Sequence, residues 1–121
     1  MKNFNTYIIE KLKIDKNTKV SKYQNAIEII ERILSEKLDK KKIEKYVHII
    51  EEETKDYYGI CVHIDEKLFD KNQPTEEALK WDISYPIMDA LKEAGYKNFN
   101  SYKPQYGRIP NTYRILFKFF S

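Results

Sequence analysis

Two stretches of strict alternation constrain this chain more than any other feature. Tyr58, Ile60, Val62 and Ile64 alternate with Gly59, Cys61 and His63. Tyr113, Ile115, Phe117 and Phe119 alternate with Arg114, Leu116, Lys118 and Phe120. A period of two places one set on each side of a β-strand. Two such strands demand an antiparallel sheet with an apolar face that other elements must cover. Only three Gly and four Pro interrupt 121 residues, so most of the chain belongs in regular elements.

The covering elements are legible as helices. Ala26, Ile27, Ile30, Ile33, Leu34 and Leu38 form one stripe. Ser21-Lys22-Tyr23-Gln24 ahead of it has the capping-box form, which predicts a helix over 22–38. Thr75 followed by Glu76 and Glu77 predicts a second helix start. Ile87, Leu91 and Ala94 share a face, and Gly95 sits where a helix stops. Pro86 either kinks this helix, or 79–83 is extended and a new helix begins near Ser84. Residues 40–53 suit a helix through Ile43, Val47 and Ile50, or a strand through the β-rich run from Tyr46 to Ile50. The strand is the preferred reading, as it pairs with the alternating segment through a turn near 54–56. A second hairpin follows, with arms 96–106 and 112–120 and a turn at 107–111.

The expected fold is therefore α+β: a small antiparallel sheet of two hairpins, two main helices on one side, and a short N-terminal amphipathic helix. The expected organisation is 1–19 as helix and linker, a docking tag in one reading, and 20–121 as a single domain. Phe4, Ile8 and Leu12 recur every four residues in that first helix, with Tyr7 and Ile9 beside them.

Composition narrows the function classes. One cysteine, Cys61, precludes an internal disulfide. Neither a signal-peptide run nor a membrane-length apolar stretch is visible, which predicts a cytoplasmic protein with no membrane partner. Charge is uneven. Residues 1–20 carry five Lys against Glu10 and Asp15, net +3, and residues 95–121 carry five cations and no acid, net +5. With +3 for the whole chain, 21–94 carry −5. Such asymmetry concerns partners rather than fold.

Signatures of catalysis are weak. His48, Cys61 and His63 are the one set of soft ligands that strands could gather. A turn centred on Thr54 and Lys55 would set His48 opposite Cys61. There is no fourth ligand and no paired-cysteine motif, and a strand cysteine is commonly a small core hydrophobe. Glu51, Glu52 and Glu53 read as a solvated strand end. No glycine-rich phosphate loop is present. The expectation is no enzyme, no cofactor and no metal. The C-terminal quarter is more suggestive. Lys97, Lys103, Arg108, Arg114 and Lys118 interleave with Tyr102, Tyr106 and other aromatics, as single-strand binders interleave cations with stacking platforms. The competing reading is that Tyr113, Phe117 and Phe119 are simply core.

The opening residues carry a resemblance. Phe4, Tyr7, Ile8, Glu10, Lys11 and Leu12, followed by a Lys/Asn/Thr-rich stretch, resemble the leader of many small uncharacterised proteins of crAss-like tailed gut bacteriophages. The resemblance covers about 15 residues, and it implies a phage-encoded protein in the host cytoplasm or the virion. A leader shared by otherwise unlike proteins would be a docking or packaging tag.

These readings converge on a non-enzymatic interaction protein that binds a protein partner, as a virion accessory or a host-directed inhibitor. Phe4, Tyr7, Ile8 and Leu12 would anchor one contact. The alternative is a single-stranded nucleic-acid-binding module using Lys97, Tyr102, Lys103, Tyr106, Arg108, Arg114 and Lys118.

Overall fold

The second alternating segment becomes the strand that pairs with three others. The computed structural model describes residues 19–120. Strands β1 (Val47–Glu53), β2 (Tyr57–Asp65), β3 (Phe99–Ser101), β4 (Gln105–Tyr106) and β5 (Thr112–Phe120) form one antiparallel sheet. Their order is β1-β2-β5-β3, and β4 also pairs with β5. The two hairpins thus join through β2 and β5, with Ile60 opposite Phe117 and Val62 opposite Ile115.

Among the described residues, three helices cover one face. Helix α1 is Lys19–Lys37, α2 is Lys40–Tyr46, and α3 spans residues 76–93. Ala26, Ile27, Ile30 and Leu34 of α1 are buried with Ile83, Ile87 and Leu91 of α3 against Ile60, Val62, Ile64, Ile115 and Phe117 of the sheet. Tyr23 stacks on Tyr58 at 4.4 Å and meets Phe119 at 5.3 Å, clamping the start of α1 to one end of the sheet. Each such ring pair adds about 0.5–1.5 kcal/mol beyond its burial.

Several expectations change in detail. Helix α1 begins at Lys19, so Ser21 lies inside it rather than at its cap. The segment 40–53 is not one strand. Asp39 accepts the amide of Lys41 and caps α2, which buries Ile43 and ends as the β-branched run begins at Val47. The loop after β2 contains a 3₁₀ turn, Glu66–Phe69. The arm 96–106 is two short strands, because Pro104 has no amide to donate to a ladder. The N-terminal amphipathic helix lies outside the described residues.

Thr75 caps α3 as expected, accepting the Ala78 amide at 3.0 Å. Helix α3 then runs through α-helical Glu76–Leu79, a π turn at Lys80–Ser84 and α-helical Tyr85–Glu93. Residues 79–83 are thus helical, not extended. The widened turn sits directly ahead of Pro86, which has no N–H and would collide with the carbonyl four residues back in a regular helix. At the far end Gly95 takes φ +102°. Its amide reaches Lys92 and that of Tyr96 reaches Leu91, a Schellman stop.

Candidate binding face

The remaining face of the sheet carries no described helix, and the strand register arranges its residues in rows. The first hairpin turn spans Thr54 to Tyr57, and the Thr54 hydroxyl accepts the amides of Asp56 and Tyr57. This centres the turn one residue later than a Thr54–Lys55 turn. His48 therefore faces His63, not Cys61. The same register continues into β5. His48, His63 and Arg114 form one row, with Gln105 beyond Arg114. Ile50, Cys61 and Leu116 form the next row. Glu52, Gly59, Lys118 and Asn100 form the third.

The third row ends in an aromatic cluster. Lys118 Nζ lies 4.4 Å from the centre of the Tyr57 ring and 5.1 Å from that of Tyr102. Tyr57 meets Phe120 edge-on at 6.3 Å and donates its hydroxyl to Glu52 at 3.0 Å. That hydrogen bond holds the Tyr57 phenol above its ordinary pKa. A Cβ on Gly59 would lie 3.2 Å from the Tyr57 ring, so the glycine leaves room for the ring against the strand. Ile50 and Tyr102 are exposed, and Leu116 and Phe120 are half-buried.

The chemistry of Cys61 and His63 follows from their half-buried positions. Burial pushes the Cys61 thiol up, against the opposing pull of a hydrogen bond to Arg114. A thiol is not activated in that state. Burial also holds His63 below the usual histidine range, reinforced by Arg114 and His48. Among the described residues, no three His, Cys, Asp or Glu side chains are grouped as a metal-ligand set. No described helix is long and apolar enough to cross a membrane.

The structure divides the basic, tyrosine-rich set. Tyr102, Arg114 and Lys118 share the open face. Tyr106 does not: it pairs with core-facing Tyr113, their rings 4.6 Å apart. Its hydroxyl donates to Glu66 and its amide to Glu76. Lys103 lines a depression of about 510 Å³ with Glu76, Glu77 and Tyr106. Lys97 and Arg108 lie on exposed connections. Phe4, Tyr7, Ile8 and Leu12 lie outside the described residues.

One prominent residue escaped the sequence reading. Trp81 sits on the π turn, 60% exposed, donating to Glu77 and meeting Tyr85 edge-on at 4.7 Å. It borders a groove of about 560 Å³ lined by Leu38, Phe69, Leu79 and Ile83. The signal in the sequence was the sole tryptophan at the point where helical periodicity breaks ahead of Pro86. Comparison with protein-family models, curated proteins and solved structures finds no match.

Proposed function

We propose that this chain is a non-enzymatic binding module that receives a protein partner on the open face of its sheet. The observation that carries the reading is the composition of that face. An apolar row, Ile50–Cys61–Leu116, runs between the row of His48, His63 and Arg114 and the cluster of Tyr57, Lys118 and Tyr102. Protein interfaces are enriched in Tyr and Arg around a desolvated apolar centre. The resemblance of the first residues to phage leaders supports a phage-encoded accessory or host-directed protein. In that setting Phe4, Tyr7, Ile8 and Leu12 would supply a second anchor.

A nucleic-acid partner is the second reading, favoured by the tyrosines and cations on one face. Two features weigh against it. Lys118 already lies over both tyrosine rings, where bases would have to stack. Lys103 lines a depression with Glu76 and Glu77, and Lys97 and Arg108 lie on exposed connections, so among the described residues the paired rows of the face hold Arg114 and Lys118 as their Lys and Arg side chains.

The test uses the full chain and a variant carrying Leu116→Ser and Tyr102→Ala. Both are immobilised and challenged with nuclease-treated host extract. Proteins retained by the wild type and lost by an equally folded variant support the reading. Equal retention by both would refute it. Fluorescence anisotropy with labelled single-stranded RNA at about 50 mM salt decides the alternative. Binding through Arg114 and Lys118 alone would show a log–log salt slope of about −1.5.

A further inference from the structure

We infer that a groove on the helical side, separate from the open sheet face, receives an amphipathic helix of a protein partner that carries acids along one flank. The groove, of about 560 Å³, lies between Lys37 and Leu38 at the end of α1 and Leu79, Trp81, Asp82 and Ile83 of α3, with Phe69 of the 3₁₀ turn also in its lining. Leu79 and Ile83 are buried, while Leu38 and Phe69 are half-buried and Trp81 is exposed. Aliphatic side chains laid there remove apolar surface from water on both partners.

Trp81 is the residue that points to a macromolecular partner. It is the chain's one tryptophan, and it is exposed yet held in place. Its Nε1 donates to Glu77 at 3.1 Å, and its ring meets Tyr85 edge-on at 4.7 Å. Glu77 in turn pairs with Lys80 at 3.1 Å. The polar atom of the indole is thus satisfied before anything docks, so covering the ring strands no donor. A ring already fixed loses little rotamer freedom on binding. Tryptophan is prominent among the residues that dominate interface energies. The π turn that carries it is itself a device found often at functional sites.

The walls select a helix. A sheet edge offers backbone groups to an added strand, whereas α1 and α3 present side chains, because helices spend their backbone groups internally. A segment docking here must satisfy its own backbone, as a helix does, and lay residues i, i+4 and i+7 along the groove. Charge selects the flank. Lys37 lines the groove, Lys40 and Lys41 follow at the start of α2, and all three are exposed. Neighbouring acids are already engaged: Asp39 accepts the Lys41 amide at 2.9 Å, and Asp70 pairs with Lys42 at 2.8 Å. Residues 1–18 carry Lys2, Lys11, Lys13 and Lys16 against Glu10 and Asp15, so they bring no net negative charge to this end of the molecule. Acids of the partner therefore face the Lys37 side, and Asp82 on the opposite wall selects against acids on both flanks.

The experiment follows Trp81 emission in the full-length protein as a tryptophan-free peptide is added. The peptide is an acetylated, alanine-based helix of about 18 residues, with Leu along one stripe, Glu on one flank and Lys on the other. One control replaces Glu by Gln, and another disperses the Leu residues around the helix. The expected result is a saturable shift of emission to shorter wavelength, about fivefold weaker binding of the Gln peptide, and no shift with the dispersed control. Lys37→Glu should remove the preference for Glu. Trp81→Ala, read by anisotropy of labelled peptide, should weaken binding at least about tenfold. Comparing the Glu and Gln peptides needs no variant, so a misfolded Lys37→Glu protein leaves the test intact. Unchanged emission with every peptide, or an equal shift with the dispersed control, overturns the groove. Equal binding of the Glu and Gln peptides overturns the acidic flank. A full-length Phe4→Ser, Ile8→Ser variant should keep the emission of the unliganded wild type; a shift to longer wavelength would put the chain's own first residues in the groove and overturn the proposal. Leu116→Ser with Tyr102→Ala should leave peptide binding intact. Loss of binding there would place the peptide on the open face, which overturns the groove and leaves the open-face reading standing.

Discussion

Replacing Glu31 by glutamine should change how stability depends on pH. Glu31 lies at the border of the buried stripe of α1, beside Ile27, Ile30 and Leu34. Burial raises its carboxyl from the ordinary 4.5 to about 7, and the neighbouring charge of Glu28 adds to the effect. The native state therefore holds the proton more tightly than the unfolded chain. The stability this contributes is full below about pH 4.5 and is lost as pH rises through about 7. At ~1.36 kcal/mol per pH unit the unscreened difference is about 3.4 kcal/mol. The side chain is only part-buried, and screening by water brings the expected loss to about 1–2 kcal/mol. His63 acts in the opposite sense, since its lowered pKa takes stability away as pH falls through the histidine range. The difference between wild type and Glu31→Gln isolates the glutamate. Urea unfolding at several values from about pH 5 to about pH 8 should show the variant gaining on the wild type as pH rises. A constant difference across that range would refute the reasoning.

Two further substitutions test the core. Phe117→Ala, at a fully buried site on a central strand, should lower unfolding free energy by about 3–5 kcal/mol in urea titration. A loss under about 1.5 kcal/mol would mean that the strand is not packed as described. Ser84 is buried, and its hydroxyl has no hydrogen-bond partner among the described residues. Ser84→Ala should be neutral or stabilising by up to about 1 kcal/mol, and a clear drop in Tm would reveal a partner for that hydroxyl.

The sequence made the sheet legible where side-chain period and burial coincide. Tyr113, Ile115, Phe117 and Phe119 are buried as their alternation requires. Thr75 and Gly95 were readable because each does something at a helix end that few residues do. Helix α2 was hidden because seven residues with one buried anchor, Ile43, carry too little periodicity to outweigh a β-rich neighbour. The row of His48, His63 and Arg114 was hidden for another reason. It depends on the turn being closed by Thr54, and a turn one residue earlier pairs different side chains. Tyr106 was misplaced with the other tyrosines because Pro104 splits its strand, and the second piece turns it toward Tyr113.

The π turn in α3 also settles a problem of counting. Leu79, Ile83, Ile87 and Leu91 are all buried, yet they are four residues apart. In a regular helix each step of four overshoots a full turn by about 40°, so the stripe would wander by about 120° from first to last. One widened turn takes back part of that rotation and keeps the stripe over the sheet. Removing one residue between Leu79 and Ile83 would leave a regular helix whose stripe spans only about 80°. The π turn thus lets a core helix hold one residue more than a regular turn would, on the segment that carries exposed Trp81. Insertions are usually confined to loops. Here a helix has a place where one can be absorbed.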